Sequence, residues 1–470
     1  MGTAMRPVMR TATTIEGAAG KKTVEFAVEA EKLGLDVCWV AEAWGADAPS
    51  VLGYLAARTE SMLLGSGVIQ LGTRSPVTIA QTAMTLAHLS GGRFLLGLGV
   101  SGPQVIEGLH GIPFGHPLAR MRETVAIVRS VFTGEKVSFA GTQYRIPLEG
   151  SRGAKGARPM RVSLPPTSVP VYLASLSPRM LELTGEIADG WLGTSFVPEG
   201  ASAYFTHLDA GLARAGRRRA DLDICQGAEI NLVDEADLAR TLAGRKKELA
   251  FSLGGMGSAT ANFYHDAYSR QGWAEVAARV RQRWQAGDRD GAAGLVTDEM
   301  VLATTLIGTE DMVRARLRTW RDVGVDTVRL YPAGDTLAAR LDNLGRGIDL
   351  VRAAGSSLSR TGLLPALARC TVLAEEGIRR LVADVQVHVE AGEAEQPPDD
   401  GLAAGDDQFT AVSGQAFVRP RQDGKAGAVG EAERGQVRHQ GLRRAVQGIG
   451  HGLPQVVRAA HVKLAFEPHQ

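Results

Sequence analysis

Large aromatic side chains run out before the chain does. Six Trp and seven Tyr are spread through the first part of the 470-residue sequence, and none follows Tyr331. From Ser359 onward the helical patterns fade into Ala, Gly, Gln, Arg and Val. A segment with so few large apolar groups cannot bury enough surface to offset its chain entropy. Residues 356–470 are therefore expected to be a poorly structured C-terminal extension, and residues 1–355 the folded domain. Cysteine is scarce as well. Cys38, Cys225 and Cys370 stand far apart, give no metal-ligand spacing and no disulfide framework, and fit a reducing compartment. No metal site is expected. Net charge is nearly absent at +1, so there is no electrostatic case for nucleic acid or an anionic membrane surface. No apolar run approaches the roughly 20 residues of a membrane-spanning helix, and the N-terminus lacks a signal core. The chain is expected in the cytoplasm.

What is present is alternation. Short apolar runs at residues 8–15, 36–41, 62–71, 93–98, 171–174, 190–196, 222–233 and 327–331 read as strands. Helical patterns separate them, as in the stripe Leu118, Met121, Val125, Val128 and Phe132. Regular alternation implies parallel strands joined by right-handed crossovers. With eight such strands and insertions at 133–170 and 240–291, the expected fold class is α/β, a (β/α)8 TIM barrel. The second insertion, with its run Gly254-Gly-Met-Gly257, suits a lid, with Asn262 and Tyr264 as substrate contacts or as part of an ordinary surface loop.

The stretch Leu89-Ser-Gly-Gly-Arg-Phe-Leu-Leu-Gly-Leu-Gly-Val-Ser-Gly-Pro103 is the most informative. Its first half suits a strand buried on both faces. Its second half lacks Cβ atoms at Gly97, Gly99 and Gly102, so backbone amides can approach a ligand there, with the Ser101 hydroxyl beside them. Residues 97–102 also match G-x-G-x-x-G, but the dinucleotide fingerprint opens straight into a helix. Here glycines and prolines intervene, and three strand-like segments precede the motif. A purely structural glycine turn and a phosphate loop of another parallel fold remain as readings.

In a (β/α)8 barrel, ligands sit on the loops at the carboxyl ends of the strands. Those loops carry Glu42 and Trp44, the segments 67–73 and 99–103, Ser175-Leu-Ser-Pro-Arg179, and residues 194–196 and 331–335. Two have phosphate chemistry: Val100-Ser101-Gly102, and Ser175-Leu176-Ser177, where a strand enters a helix whose free amides and dipole favour an anion. Arg179 adds a cation. Plain helix capping is the alternative role of Ser175 and Ser177.

These residues resemble those of the luciferase-like flavin and deazaflavin oxidoreductases, and most closely the coenzyme F420 users related to methylenetetrahydromethanopterin reductase. The resemblance rests on Ala30-Glu-Lys-Leu-Gly-Leu-Asp36, Trp39-Val-Ala-Glu-Ala-Trp44, Leu64-Gly-Ser-Gly-Val68, the stretch 89–102, and Gly185-Glu-Ile-Ala-Asp-Gly-Trp191. It implies a luciferase-like barrel whose mouth holds the tricyclic ring of coenzyme F420, with FMN as the alternative. It implies a bulge after the third strand, with a non-prolyl cis peptide at Gly67–Val68. The matching phosphate loops are Val100–Gly102, preceded by Gly99, and Leu176–Ser177.

The sequence departs from the family where proton transfer is concerned. Glu42 stands where relatives carry an acid, but Ala43 stands in place of their histidine. Gly102 and Pro103 replace the acid after the fourth strand. Glu42 is the remaining candidate for a catalytic proton carrier, or is a structural carboxylate bonded to loop amides. Trp44 either stacks on the cofactor or packs the barrel top. The expected activity is hydride transfer between coenzyme F420 and a small-molecule substrate by a homodimer. An FMN-dependent monooxygenase and a non-catalytic flavin-binding protein are the alternatives.

Overall fold

Every strand expected from an apolar run is present in the computed structural model, which describes residues 9–15, 20–148, 156–256 and 262–355. The expected C-terminal extension, Cys370 and residues 257–261 of the expected lid lie outside the described residues. In chain order the strands are β1 (Arg10–Ile15), β2 (Val37–Val40), β3 (Leu63–Ser66), β4 (Ile69–Gln70), β5 (Phe94–Gly99), β6 (Phe139–Ala140), β7 (Arg145–Ile146), β8 (Val171–Ala174), β9 (Gly190–Leu192), β10 (Asp223–Leu232), β11 (Leu306–Gly308) and β12 (Thr327–Pro332). The ring runs β1-β2-β3-β5-β8-β9-β10-β12 and back to β1, all parallel. This is a closed (β/α)8 barrel. The first insertion holds the antiparallel pair β6–β7.

Two differences from the sequence reading have simple causes. β11 was not expected: at three residues it is too short for a periodicity, and it is recruited beside the outer end of β10 through Ile230–Leu232. The strand expected over 190–196 stops at Leu192. Beyond it Ser195 takes a left-handed φ of 54°, and the Gly193 carbonyl accepts from the Arg329 side chain.

The barrel interior is closed by two large rings against glycine. Trp39 is 1% exposed and meets Tyr172 edge-on at 5.1 Å. A Cβ on Gly65 would sit 2.3 Å from the Trp39 ring, and one on Gly190 would sit 2.1 Å from the Tyr172 ring. Below them, Asp223 accepts from Arg10 at 2.7 Å, from Tyr172 at 2.9 Å and from Thr327 at 3.0 Å. This end is sealed, so the open end is the carboxyl end of the strands. The helix Leu337–Gly355 ends the described part of the chain, with Leu344, Ile348 and Val351 fully buried.

Candidate active site

Five consecutive members of the ring, β2, β3, β5, β8 and β9, bring the expected site loops together along one arc of the open end, apart from the loop 331–335, which follows β12. After β3 the Gly67–Val68 peptide is cis, the isomer the resemblance implies. The chain there steps out of register and resumes as β4 beside β5. Val68 packs on the interior core of the barrel rather than on the outer layer. Backbone in the left-handed region recurs on this arc: φ is 40° at Ala43 after β2, 60° at Ser101 after β5 and 54° at Ser195 after β9. Non-glycine residues hold such angles only where their surroundings over-determine them, and they cluster at ligand sites.

The glycines of β5 divide by function. A Cβ on Gly97 would lie 1.9 Å from the Ser66 carbonyl oxygen, and one on Gly99 would lie 2.6 Å from Val68 Cγ2. Both are glycine to support the β3 bulge, which corrects the expectation that they open backbone to a ligand. Gly102 fits that expectation, because nothing lies within 4 Å of its Cβ position. Ser101 is half-buried, and its hydroxyl has no partner among the described residues. Beside this loop a shallow open groove is lined by Leu71, Val100, Ile106, Phe114 and Arg120 among others.

The loop after β8 begins level with the one after β5, since Gly99 and Ala174 are paired. Ser177 is exposed at the N-cap of the helix Pro178–Ile187, and its side chain caps nothing, so hydroxyl and helix terminus are both available. Arg179 is exposed and forms no ion pair among the described residues. Leu176 is half-buried, and its carbonyl accepts from Arg270 at 2.7 Å. Ser175 departs from expectation. It is 5% exposed, its hydroxyl shares a hydrogen bond with Thr184 at 2.8 Å, and its carbonyl accepts from Trp191 Nε1 at 3.0 Å. It fixes the base of the loop and presents no hydroxyl to a ligand.

Glu42 is 8% exposed and held on all sides. Its Oε2 accepts from Arg74 Nη1 at 2.9 Å and from the Gln70 amide at 3.3 Å. Its Oε1 accepts from Arg74 Nη2 at 2.8 Å and from the Ala48 amide at 3.4 Å. The hydrogen bonds that Arg74 donates to Glu42 hold its guanidinium above its usual pKa. The pair ties the β2 loop to the segment after the β3 bulge, and Gln70 adds a side-chain bond to the Ala43 carbonyl. Sequence reasoning missed Arg74, which lies 32 positions on with no local signal. Trp44, by contrast, is 70% exposed at the rim, so barrel-top packing does not describe it.

The second insertion is bolted to this arc. Its segment Ser269–Trp273 is a kink between two helices, with Gly272 at φ 97°, and sends Arg270 to the Leu176 carbonyl and buried Gln271 to both the Ser195 carbonyl at 2.6 Å and the Val197 amide at 2.7 Å. Asn262, expected as a substrate contact, is 1% exposed. It caps the helix Phe263–Tyr268 and donates to the Ser252 and Leu253 carbonyls at 3.0 Å each. Across the mouth, β10 turns Cys225, Gly227 and Glu229 inward. Cys225 belongs to the interior core, and a Gly227 Cβ would meet the Tyr331 hydroxyl at 2.5 Å. Glu229 pairs with Arg245 at 3.3 Å. Burial pushes the thiols of Cys38 and Cys225 up to about 12, which leaves both as packing groups. Among the described residues no cluster of three potential metal ligands occurs, and no helix is long and apolar enough to cross a membrane.

Comparison with known proteins agrees with this architecture. The sequence model of the luciferase-like monooxygenase family matches residues 4–327. A Mycobacterium tuberculosis protein, provisionally named a coenzyme F420-dependent oxidoreductase, is 41% identical over 322 residues, covering 67% of this chain and 92% of that protein. The 5,10-methylenetetrahydromethanopterin reductase of Archaeoglobus fulgidus is 31% identical over 300 residues, covering 64% and 86%. The solved coenzyme F420-dependent tetrahydromethanopterin reductase of Methanopyrus kandleri superposes with a TM-score of 0.58 at 21% identity, covering 74% of this chain and 98% of that one. This last likeness bears on the fold.

Proposed function

The chain belongs to the luciferase-like monooxygenase family, and from that premise we propose that it is an oxidoreductase moving a hydride between coenzyme F420 and a small organic substrate. The observation that carries the reading is the arc itself: an open Gly102, free hydroxyls at Ser101 and Ser177, and the Val68 bulge, all on adjacent strands. The donor set suits a phosphate-bearing tricyclic cofactor. Ser101, the amides at Val100–Gly102 and those at the start of the helix Pro178–Ile187 would hold the phosphate, with Arg179 as counter-ion. Val68 would support the ring, and exposed Trp44 would cover it. Bound there, the deazaflavin supplies a hydride. The chain positions the two reactants and excludes water.

Titration with each cofactor tests this. Tight binding of F420 with negligible FMN binding, followed by oxidation of reduced F420 by a panel of ketones, aldehydes and imines, is the expected result. FMN binding with substrate-dependent oxygen uptake would make the protein a monooxygenase instead. Binding with no turnover on the panel would leave it a non-catalytic flavin protein.

Ser101→Leu is expected to weaken F420 binding by about 10- to 100-fold, the worth of a lost hydrogen bond to a charged group. The melting temperature should fall as well, because a bulky side chain has to take the left-handed φ of 60°. Ser101→Gly removes the whole hydroxymethyl group and relaxes the positive φ. Unchanged affinity in both variants would take the loop out of the cofactor site.

The same reading makes the enzyme a cytoplasmic homodimer with no nucleic-acid partner. The buried, free thiols of Cys38 and Cys225 fit a reducing compartment. Exposed Tyr54 and Leu89, on the neighbouring helices Ala48–Ala56 and Pro76–Leu89, supply apolar surface for a second copy. Light scattering should give twice the chain mass. Cutting the chain after Ser357 should leave cofactor affinity, turnover and melting temperature unchanged. Loss of any of these on truncation would make the remaining residues integral to the barrel.

A further inference from the structure

The site described so far lacks a proton carrier. Glu42 spends both carboxylate oxygens on Arg74 and two loop amides. Ala43 and Gly102 leave the neighbouring loop positions without a titratable group. Asp335, after β12, is exposed. The reaction of the preceding section needs a proton as well as a hydride, so another wall of the barrel has to be searched.

β10 stands four places from β3 in either direction around the ring, directly across the mouth from the Val68 bulge. Its inward residues follow the two-residue period of a strand. Cys225 lies in the interior core, Gly227 lies under the Tyr331 hydroxyl, and Glu229 is level with Tyr331 near the carboxyl end. The outward residues Ile224, Ala228 and Ile230 belong to the layer under the helices. A carboxyl group at the inner carboxyl end of a barrel strand is where this fold keeps its chemistry. Resting on the hydride-transfer reading, we propose that Glu229 is the catalytic acid, giving its proton to the carbonyl oxygen or imine nitrogen of the substrate, with Arg245 as the cation that balances it.

The surroundings suit that task. Arg245 comes from the helix Glu235–Gly254 of the second insertion and is shared between Glu229 and Glu248. Glu229 therefore shares its cation with a second carboxylate. Burial, opposed by Arg245 and assisted by Glu248, pushes the Glu229 carboxyl above its ordinary value of 4.5. Tyr331 faces it from β12, with Arg329 one residue pair lower, while β9 and β11 contribute no titratable residue.

The step balances. The substrate carbon gains a hydride, carrying two electrons from the reduced cofactor, while its oxygen or nitrogen gains the Glu229 proton. The C=O or C=N bond becomes single. The reduced cofactor's other hydrogen would leave as a proton to water, and water returns one to Glu229.

Two measurements on the full chain test this. With Glu-selective 13C labelling, a carboxyl resonance missing from Glu229→Gln should titrate above 4.5 in the wild type without any substrate. Titration at or below that value overturns the proposal. In reduced-F420 oxidation by the ketone, aldehyde and imine panel, Glu229→Gln should lower kcat by about 100-fold or more and leave the F420 Kd within twofold. Glu229→Asp should recover part of the rate. Catalysis needs the protonated acid, so kcat falls as pH rises through its titration. In Arg245→Met, without the opposing cation, that limb should move to higher pH, a shift that a structural role would not cause. A wild type that binds F420 but reduces nothing on the panel overturns the hydride-transfer reading and the proposal with it. A wild type and a folded Glu229→Gln of equal kcat overturn the proposal alone.

Discussion

Arg74→Met should lower the unfolding free energy by about 3–5 kcal/mol, the cost of leaving a buried charge without its partner. The substitution roughly preserves side-chain volume, so the loss reports electrostatics rather than a cavity. Glu42 would keep only the Ala48 and Gln70 amides at 3.4 and 3.3 Å. Two loops depend on the pair, and both belong to the cofactor arc, so F420 affinity should fall together with stability. Glu42→Gln removes the charge from the other side and should have a smaller effect of the same kind, because Arg74 keeps its ion pair with Asp47, with turnover per bound cofactor nearly intact. If Glu42 instead carries the reaction's proton, Glu42→Gln will cut turnover far more than affinity. Thermal unfolding, F420 titration and kcat at saturating cofactor separate the two outcomes.

The contrast between Glu42 and Glu229 marks what the sequence could and could not tell. Strand positions were legible because each is a short apolar run between helical patterns, and parallel alternation leaves few topologies. The arc of loops followed from the rule that barrel ligands gather at the carboxyl ends of strands. The partners of individual side chains were not legible. Arg74 meets Glu42 across 32 positions, and Gln271 meets Ser195 across 76. Ser175 looked like a free hydroxyl because its acceptor, Thr184, lies two turns into the next helix. Glu229 did leave a signal. In Asp223-Ile-Cys-Gln-Gly-Ala-Glu-Ile-Asn-Leu232 the apolar side chains at Ile224, Ala228, Ile230 and Leu232 set one parity, and Glu229 falls on the other, near the strand's carboxyl end. Period-two reading of this long strand would have marked it for the barrel interior.

Gly97→Ala is expected to be a severely damaging single-methyl change. The new Cβ would stand 1.9 Å from the Ser66 carbonyl oxygen, 2.9 Å from Leu192 Cδ1 and 3.1 Å from the Ser66 carbonyl carbon. Leu192 can turn away, but the Ser66 carbonyl cannot, because Ser66 also accepts the Gly97 amide and donates to the Gly97 carbonyl through its hydroxyl, at 2.9 Å each. The clash therefore pushes β3 off β5 just before the bulge. Overpacking typically costs 1–3 kcal/mol, and a clash with fixed backbone belongs at or above about 3 kcal/mol. Val68 moves with the bulge, so the F420 Kd should rise at least tenfold even in the fraction that stays folded. Gly102→Ala is the matched control. Its Cβ meets nothing within 4 Å and its φ is −128°. It should keep the wild-type melting temperature, and any change in Kd would come from the ligand side alone. A Gly97→Ala protein that melts like the wild type and binds F420 normally would mean that β3 and β5 can separate at no cost, and that the bulge does not support the cofactor ring.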